Sequence, residues 1–283
     1  MWFLKLTSEC HYLANFSRGI RSSRFMKKVV NTLKLLIFFV VIFLSSQLLV
    51  SMFSARLHLS GDVGFMLSYA LSMGLIYLLT TLYERAEFGM VRPIMKSTKG
   101  FDPVAVLMGV VLLVAISVTL WPLKSYLPAD DRVFNDGVYT LLTVVFISPI
   151  MEECIFRGRL YSLLGHSASP FVAAFLSSLT FALIHLQPIV IIDGFLSGML
   201  FSYMYLLKRS IILPILLHIS NNIIAYTLQM LTYAGRPLME YIDDRGFYLP
   251  LYAISAVLVL MFVGFMVHRF YKEKKLIKKN LVS

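Results

Sequence analysis

The sequence predicts an all-α, polytopic integral membrane protein with about eight transmembrane helices and both termini cytoplasmic. Three observations predict it: the composition, the spacing of long apolar runs, and the placement of Lys and Arg. Of the 283 residues, 58% are hydrophobic and only 14% are charged, whereas a soluble domain is about half apolar and about a quarter charged. A hydrocarbon core of roughly 30 Å takes about 20 apolar residues per helix. Stretches near 33–54, 63–83, 103–121, 138–156, 170–187, 189–207, 211–231 and 249–268 meet or approach that length. With both ends inside, all but five of the 26 Lys and Arg border the inner side. The exceptions are Arg56, Lys124, Arg132, Arg236 and Arg245, and this asymmetry is the positive-inside bias.

The first apolar run, within "MKKVVNTLKLLIFFVVIFLS", starts like a signal peptide but continues past signal length with no A-x-A cleavage pattern. It reads as the first membrane helix, preceded by a basic cytoplasmic segment, 1–31, in which Met26 offers a second start site. Residues 32–131 read as three scaffold helices with few polar groups beyond Ser, Thr and Tyr. Between the second and third lies a polar inner connection, closed by Asp102-Pro103, a pair suited to an N-cap followed by proline at the first helical position. Residues 132–232 hold the next four helices. There ionisable and amide groups enter the apolar runs: Glu152, Glu153, His185, Asp193, His218, Asn221 and Asn222. Residues 233–283 add an outer loop, the last helix and the basic tail "HRFYKEKKLIKK", a stop-transfer anchor.

The net charge of +11 excludes little by itself. Its basic residues flank membrane spans, so anionic lipid headgroups are the expected partner and nucleic acid is not. Two cysteines, Cys10 and Cys154, make neither a disulfide framework nor a four-ligand zinc site.

A charged side chain in hydrocarbon costs about 2.5–3.5 kcal/mol on insertion scales, so a cluster of them calls for a functional reading. Residues four apart share a helical face, and three pairs have that spacing. Glu153 and Arg157 can pair on the fourth helix, as a boundary ion pair, with Glu152 rotated about 100° away and left without a local partner. Phe181 and His185 share a face of the fifth helix, and His218 and Asn222 one of the seventh. Counted from the turn at Gly165–Pro170, Glu152 stands about 18 Å and His185 about 25 Å up their helices, and His218 stands about 15 Å above Lys208. Convergence at one depth is therefore feasible. A carboxylate in a low-dielectric pocket can act as a general base or acid, two imidazoles can orient a water or bind a metal, and an amide can donate to an oxyanion.

The three elements E-E-x-x-x-R (Glu152, Glu153, Arg157), F-x-x-x-H (Phe181, His185) and H-x-x-x-N (His218, Asn222) together resemble the signature of the CAAX prenyl protease and bacteriocin-processing (CPBP, or Abi) family of intramembrane proteases. The resemblance covers roughly 138–232. It implies that Glu152 activates the attacking water, that His185 and His218 position it, and that Asn222 stabilises the oxyanion, with Glu153, Arg157 and Phe181 in support. It implies a membrane-embedded or membrane-associated peptide substrate: a CAAX-type protein, or a leader, pheromone or bacteriocin peptide, with bacteriocin self-immunity as one role. The short loops and Lys-rich style resemble a bacterial plasma membrane protein. His185, His218 and Glu152 could also hold zinc with an open fourth position; the metal-free reading is preferred because Asn222 suits an oxyanion donor. Two other classes remain in view. An ion- or proton-coupled transporter would use the same Glu/His cluster but would show repeated halves, and none is visible. A non-proteolytic scaffold would more naturally lack a motif residue, and all are present.

Overall fold

The structure is a computed structural model that describes residues 2–58, 61–94, 102–124, 137–233, 238, 242–243 and 245–280, with side chains between residues 25 and 273. The acidic connection at 125–136 and most of the polar connection at 95–101 lie outside the described residues. Helices of 14 residues or more follow one another in the order α1 (Trp2–Arg56), α2 (Gly61–Phe88), α3 (Pro103–Lys124), α4 (Val138–Leu164), α5 (Pro170–Leu183), α6 (Pro188–Lys208), α7 (Ile212–Tyr233) and α8 (Tyr248–Asn280). Each predicted apolar stretch is centred on one of them.

Six of these helices are long and apolar enough to cross a membrane: α1, α2, α3, α4, α6 and α8. The protein is a multi-pass membrane protein. Helix α5, at 14 residues, spans about 21 Å and is shorter than a hydrocarbon core. Helix α7 has the length, at 22 residues, but His218, Ser220, Asn221 and Asn222 interrupt its apolar run. The two helices that fall short carry the histidine motifs, and both lie against α6. Helix α6 is the central element: 61% of its apolar window is buried, against 17% for α8.

Local chemistry sets the helix boundaries. Asp102 caps α3 as predicted, its Oδ1 accepting from Ala105 N–H at 3.1 Å ahead of Pro103. Lys208 donates to Asp102 Oδ2 at 2.5 Å, fastening the end of α6 to the start of α3 and holding the Asp102 carboxyl below the usual carboxylate range. Ser169 caps α5, with Pro170 at its first position. Helix α5 was expected to run to 187 but stops at Leu183. Pro188 explains the shorter helix, since the residue before a proline disfavours helical geometry. The chain turns through Leu186 at a left-handed φ of 62° and starts α6 at Pro188.

Two apolar clusters flank the centre. One joins α1, α2, α4 and α5 through Phe39, Ile76, Phe156, Leu160 and Phe181. The other joins α3, α6, α7 and α8 through Ile116, Phe201, Leu217, Phe262 and Phe270. Helix α3 approaches α7 where Gly109 faces Leu217; a Cβ at Gly109 would stand 2.5 Å from Leu217 Cδ2, so a small residue lets the backbones close. Large apolar side chains elsewhere, such as Ile37 and Leu48 on α1 or Leu260 and Phe265 on α8, remain exposed and suit a lipid environment.

A buried polar knot holds α2 to the end of α4. Glu84, 1% exposed, accepts from Arg159 Nη1 at 3.2 Å and Ser162 Oγ at 3.2 Å, and lies 3.0 Å from His166 Nε2. Arg159 also donates to the Arg92 carbonyl at 2.9 Å, and the His166 ring stacks on Phe88 with centroids 3.8 Å apart. His166, in the turn after α4, is thus part of this knot. Removing one partner of a buried ion pair costs about 3–5 kcal/mol because the other charge is left unpaired. Arg159→Leu should therefore lower thermal stability in detergent micelles by about that amount, and Arg159→Leu with Glu84→Gln should recover part of the loss.

Candidate functional site

The site begins with irregular winding in α4. Within Val138–Leu164, the segments Thr143–Ile147 and Cys154–Leu160 are π-helical and bracket one short α-helical piece, Ser148–Glu153, which carries both acids. π segments are rare and concentrate at functional sites. Ser148 N–H bonds the Thr143 carbonyl, five residues back. The next bond in that register would run from residue 149 to Val144, but Pro149 has no N–H to give. The Val144 carbonyl instead accepts from Asn222 Nδ2 at 2.8 Å. In the second π segment the Phe156 carbonyl accepts from Ser177 Oγ of α5 at 2.7 Å. Each irregular segment thus supplies a carbonyl that docks a neighbouring helix.

Glu153 and Arg157 are completely buried inside the helix bundle. Arg157 Nη1 donates to Glu153 Oε1 at 2.8 Å and Nη2 donates to the Gly198 carbonyl at 3.0 Å. Its guanidinium lies 4.7 Å from the Phe181 ring centroid and 5.3 Å from that of Phe201, a cation–π cradle. The same Glu153 oxygen lies 2.9 Å from His218 Nδ1. A carboxylate paired with guanidinium only accepts hydrogen bonds, so His218 donates from Nδ1, and the neutral imidazole in this orientation has its lone pair on Nε2. Linear spacing concealed this role, because His218 is 65 residues from Glu153.

Glu152 is 5% exposed and is not without partners. Its Oε1 accepts from Ser148 Oγ at 2.5 Å and from the Tyr69 hydroxyl, and the two hydroxyls lie 2.8 Å apart. Its Oε2 stands 3.7 Å from His218 Nε2, beyond direct hydrogen-bond range. Sequence reasoning placed α2 among the scaffold and missed Tyr69. Ser148 had a legible signal, since it precedes Glu152 by four residues and shares its face.

His185 follows α5 in the turn, and its Nδ1 lies 2.9 Å from the Phe181 carbonyl. A carbonyl only accepts, so His185 donates from Nδ1, and its neutral form also has the lone pair on Nε2. Phe181 packs edge to face against both imidazoles, with His185 at 5.1 Å and with His218 at 5.5 Å between centroids. Phe201 stacks on His218 at 5.1 Å. The fold therefore gathers Glu152, Glu153, Arg157, Phe181 and His218, sets His185 against Phe181, and draws Asn222 to the π segment. Among the described residues, no three His, Cys, Asp or Glu side chains gather closely enough to hold a metal ion. The alternative zinc set of His185, His218 and Glu152 is not gathered closely enough in this arrangement to hold a metal.

Residues 134–224 match the family described as Rce1-like, type II CAAX prenyl endopeptidase. The matched segment runs from just before α4 into α7, and so contains every motif residue from Glu152 to Asn222. A relative from Escherichia coli described as an uncharacterized 24.3 kDa protein is 28% identical over 125 residues, which cover 40% of this chain and 58% of that protein. No solved structure matches the chain.

Gly198 lets α6 meet the buried arginine. A Cβ there would stand 2.9 Å from Arg157 Nη2, 3.1 Å from Ser178 Cβ and 3.3 Å from Phe181 Cδ1. Overpacking of this kind costs about 1–3 kcal/mol, so Gly198→Ala should lower the melting temperature in detergent. Gly74→Ala on α2, where nothing lies within 4 Å of the added carbon, should leave it unchanged or slightly raised.

Proposed function

We propose that the protein is an intramembrane endopeptidase in which Glu152 activates a water for attack on a peptide bond. The observation that carries this reading is the difference between the two adjacent carboxylates. Glu153 is neutralised by Arg157 and orients His218, whereas Glu152 presents Oε2 toward His218 Nε2 across 3.7 Å. Both acceptors face a gap too wide for a direct bond and suited to a water that donates to each.

In this reading the water oxygen bonds to the peptide carbonyl carbon as Glu152 takes one of its protons. The carbonyl π electrons move to oxygen, giving a tetrahedral oxyanion. Asn222 Nδ2 has two hydrogens; one serves Val144, and the second is the proposed oxyanion donor. The C–N bond then breaks, its electrons leave with nitrogen, and the proton held by Glu152 passes to that nitrogen. The products are a carboxylic acid and an amine, and Glu152 returns as carboxylate. His185, with its lone pair on Nε2, is the second water-positioning group, and no metal is required by these steps.

The family match supports a substrate of the CAAX type, and the apolar surroundings of the site favour a membrane-embedded or membrane-associated peptide. Leader, pheromone or bacteriocin maturation and bacteriocin self-immunity belong to the same proposal, as does residence in a bacterial plasma membrane. Helix α7 supports the enzyme over an ion-coupled transporter, because Asn222 offers an oxyanion donor that a proton relay does not need.

The test compares peptides in the membranes and medium of cells carrying wild-type or Glu152→Gln protein at equal abundance. A peptide product present with wild type should be lost in the variant, and purified Glu152→Gln should cleave its precursor about 10²- to 10⁴-fold more slowly. His218→Ala and His185→Ala should be similarly impaired. Full activity in all three variants would overturn the proposal. Treatment with a chelator should leave the wild-type rate unchanged; loss restored by added zinc would overturn the metal-free mechanism.

A further inference from the structure

The family match starts at residue 134, yet one oxygen of the proposed base is held by a side chain from α2, outside that segment. Tyr69 and Ser148 form a closed triangle with Glu152: both hydroxyls donate to Oε1 and lie 2.8 Å from each other. A hydroxyl has one hydrogen, so with both hydrogens directed at Oε1, that oxygen is occupied and Oε2 is left facing His218. The triangle lies beside the packed cluster where Tyr69 sits with Phe156 and Phe181, which limits the rotamers open to the phenol ring.

We propose that Tyr69 and Ser148 are positioning residues that lock the Glu152 carboxylate by its Oε1, so that Oε2 alone is presented to the water at His218. This rests on the reading of Glu152 as the base and extends the reaction centre to α2. Among the described residues, the polar groups set against Glu152 are Tyr69 from α2, Ser148 from α4 and His218 from α7, with the Arg157 charge nearby. A carboxylate free to rotate could present either oxygen or fold back toward Ser148, and productive geometry would be lost in a fraction of encounters. Held by two hydroxyls, it needs no reorganisation when substrate arrives. The lock also explains why a serine stands four residues before the acid, on its own helical face. One consequence is that the 134–224 segment without α2 contains the motif residues but an unlocked base.

Two readouts test the lock, and one does not depend on cleavage. Infrared spectra of the protein in lipid vesicles, differenced against Glu152→Gln, isolate the carboxyl band of Glu152. That band should move in Tyr69→Phe and in Ser148→Ala, and Ser148→Thr, which keeps a hydroxyl, should return it to the wild-type position. A merely structural role would leave the band in place while lowering stability. With the precursor peptide found in the Glu152→Gln comparison, Tyr69→Phe and Ser148→Ala should lower kcat about tenfold to a hundredfold with KM unchanged. Having both variants guards against one failing to fold. An unmoved band in both, or wild-type kcat in both, overturns the lock. An active Glu152→Gln protein overturns the base assignment, while the infrared arm still decides whether the two hydroxyls hold the carboxylate.

Discussion

The molecule depends on how one buried charge is neutralised. Glu153 is fully removed from water, and an isolated carboxylate in such a place would be untenable. Arg157 supplies the countercharge from the next helical turn, and two aromatic rings and the Gly198 carbonyl hold the guanidinium in turn. Because α4, α5, α6 and α7 each contribute to that arrangement, neutralising the charge and packing the four helices are the same event. His218 is drawn into it through Nδ1, and the direction of its Nε2 follows from a structural pair. Orientation of an imidazole by a buried carboxylate is a recurrent device wherever a histidine has to present one chosen nitrogen.

The irregular winding of α4 is the second constraint. An uninterrupted α-helix would satisfy its own carbonyls and offer neighbours only side chains. Pro149 instead leaves the Val144 carbonyl to accept from Asn222, and the Phe156 carbonyl, bonded by the Tyr161 N–H in the second π segment, accepts a second bond from Ser177. Helices α5 and α7 are short or polar for membrane spans, and these contacts fasten them to the bundle at specific heights. Polar groups that would be costly against lipid are placed where backbone acceptors already wait.

Adjacent acids thus have different jobs because their partners differ. Glu152 meets two hydroxyls and a distant imidazole nitrogen; Glu153 meets a guanidinium and an N–H. A third buried acid, Glu84, is bound by an arginine, a serine and a histidine near the end of α4, where it ties helices together. Burial of a carboxylate alone does not distinguish the three acids; the proposed mechanism singles out Glu152 because its Oε2 lies 3.7 Å from His218 Nε2.

The sequence by itself determined the class of molecule and the location of its centre. Hydropathy and length dictate helices in a bilayer, since backbone polar groups must be paired internally there, and i, i+4 spacing put Glu153 with Arg157 and Phe181 with His185 before any tertiary contact was known. Asp102-Pro103 announced a local boundary through the capping preference and proline's fitness for the first helical position. Only the tertiary structure decided burial and partners. That Glu153 and Arg157 lie inside the bundle, that Glu153 belongs with His218, and that Tyr69 reaches Glu152 from 83 residues away depend on which helix faces which. Hydropathy reports only the average environment along one chain direction, whereas hydrogen bonds across a bundle are fixed by helix rotation, by π-helical offsets and by glycines such as Gly109 and Gly198 that set how closely backbones approach.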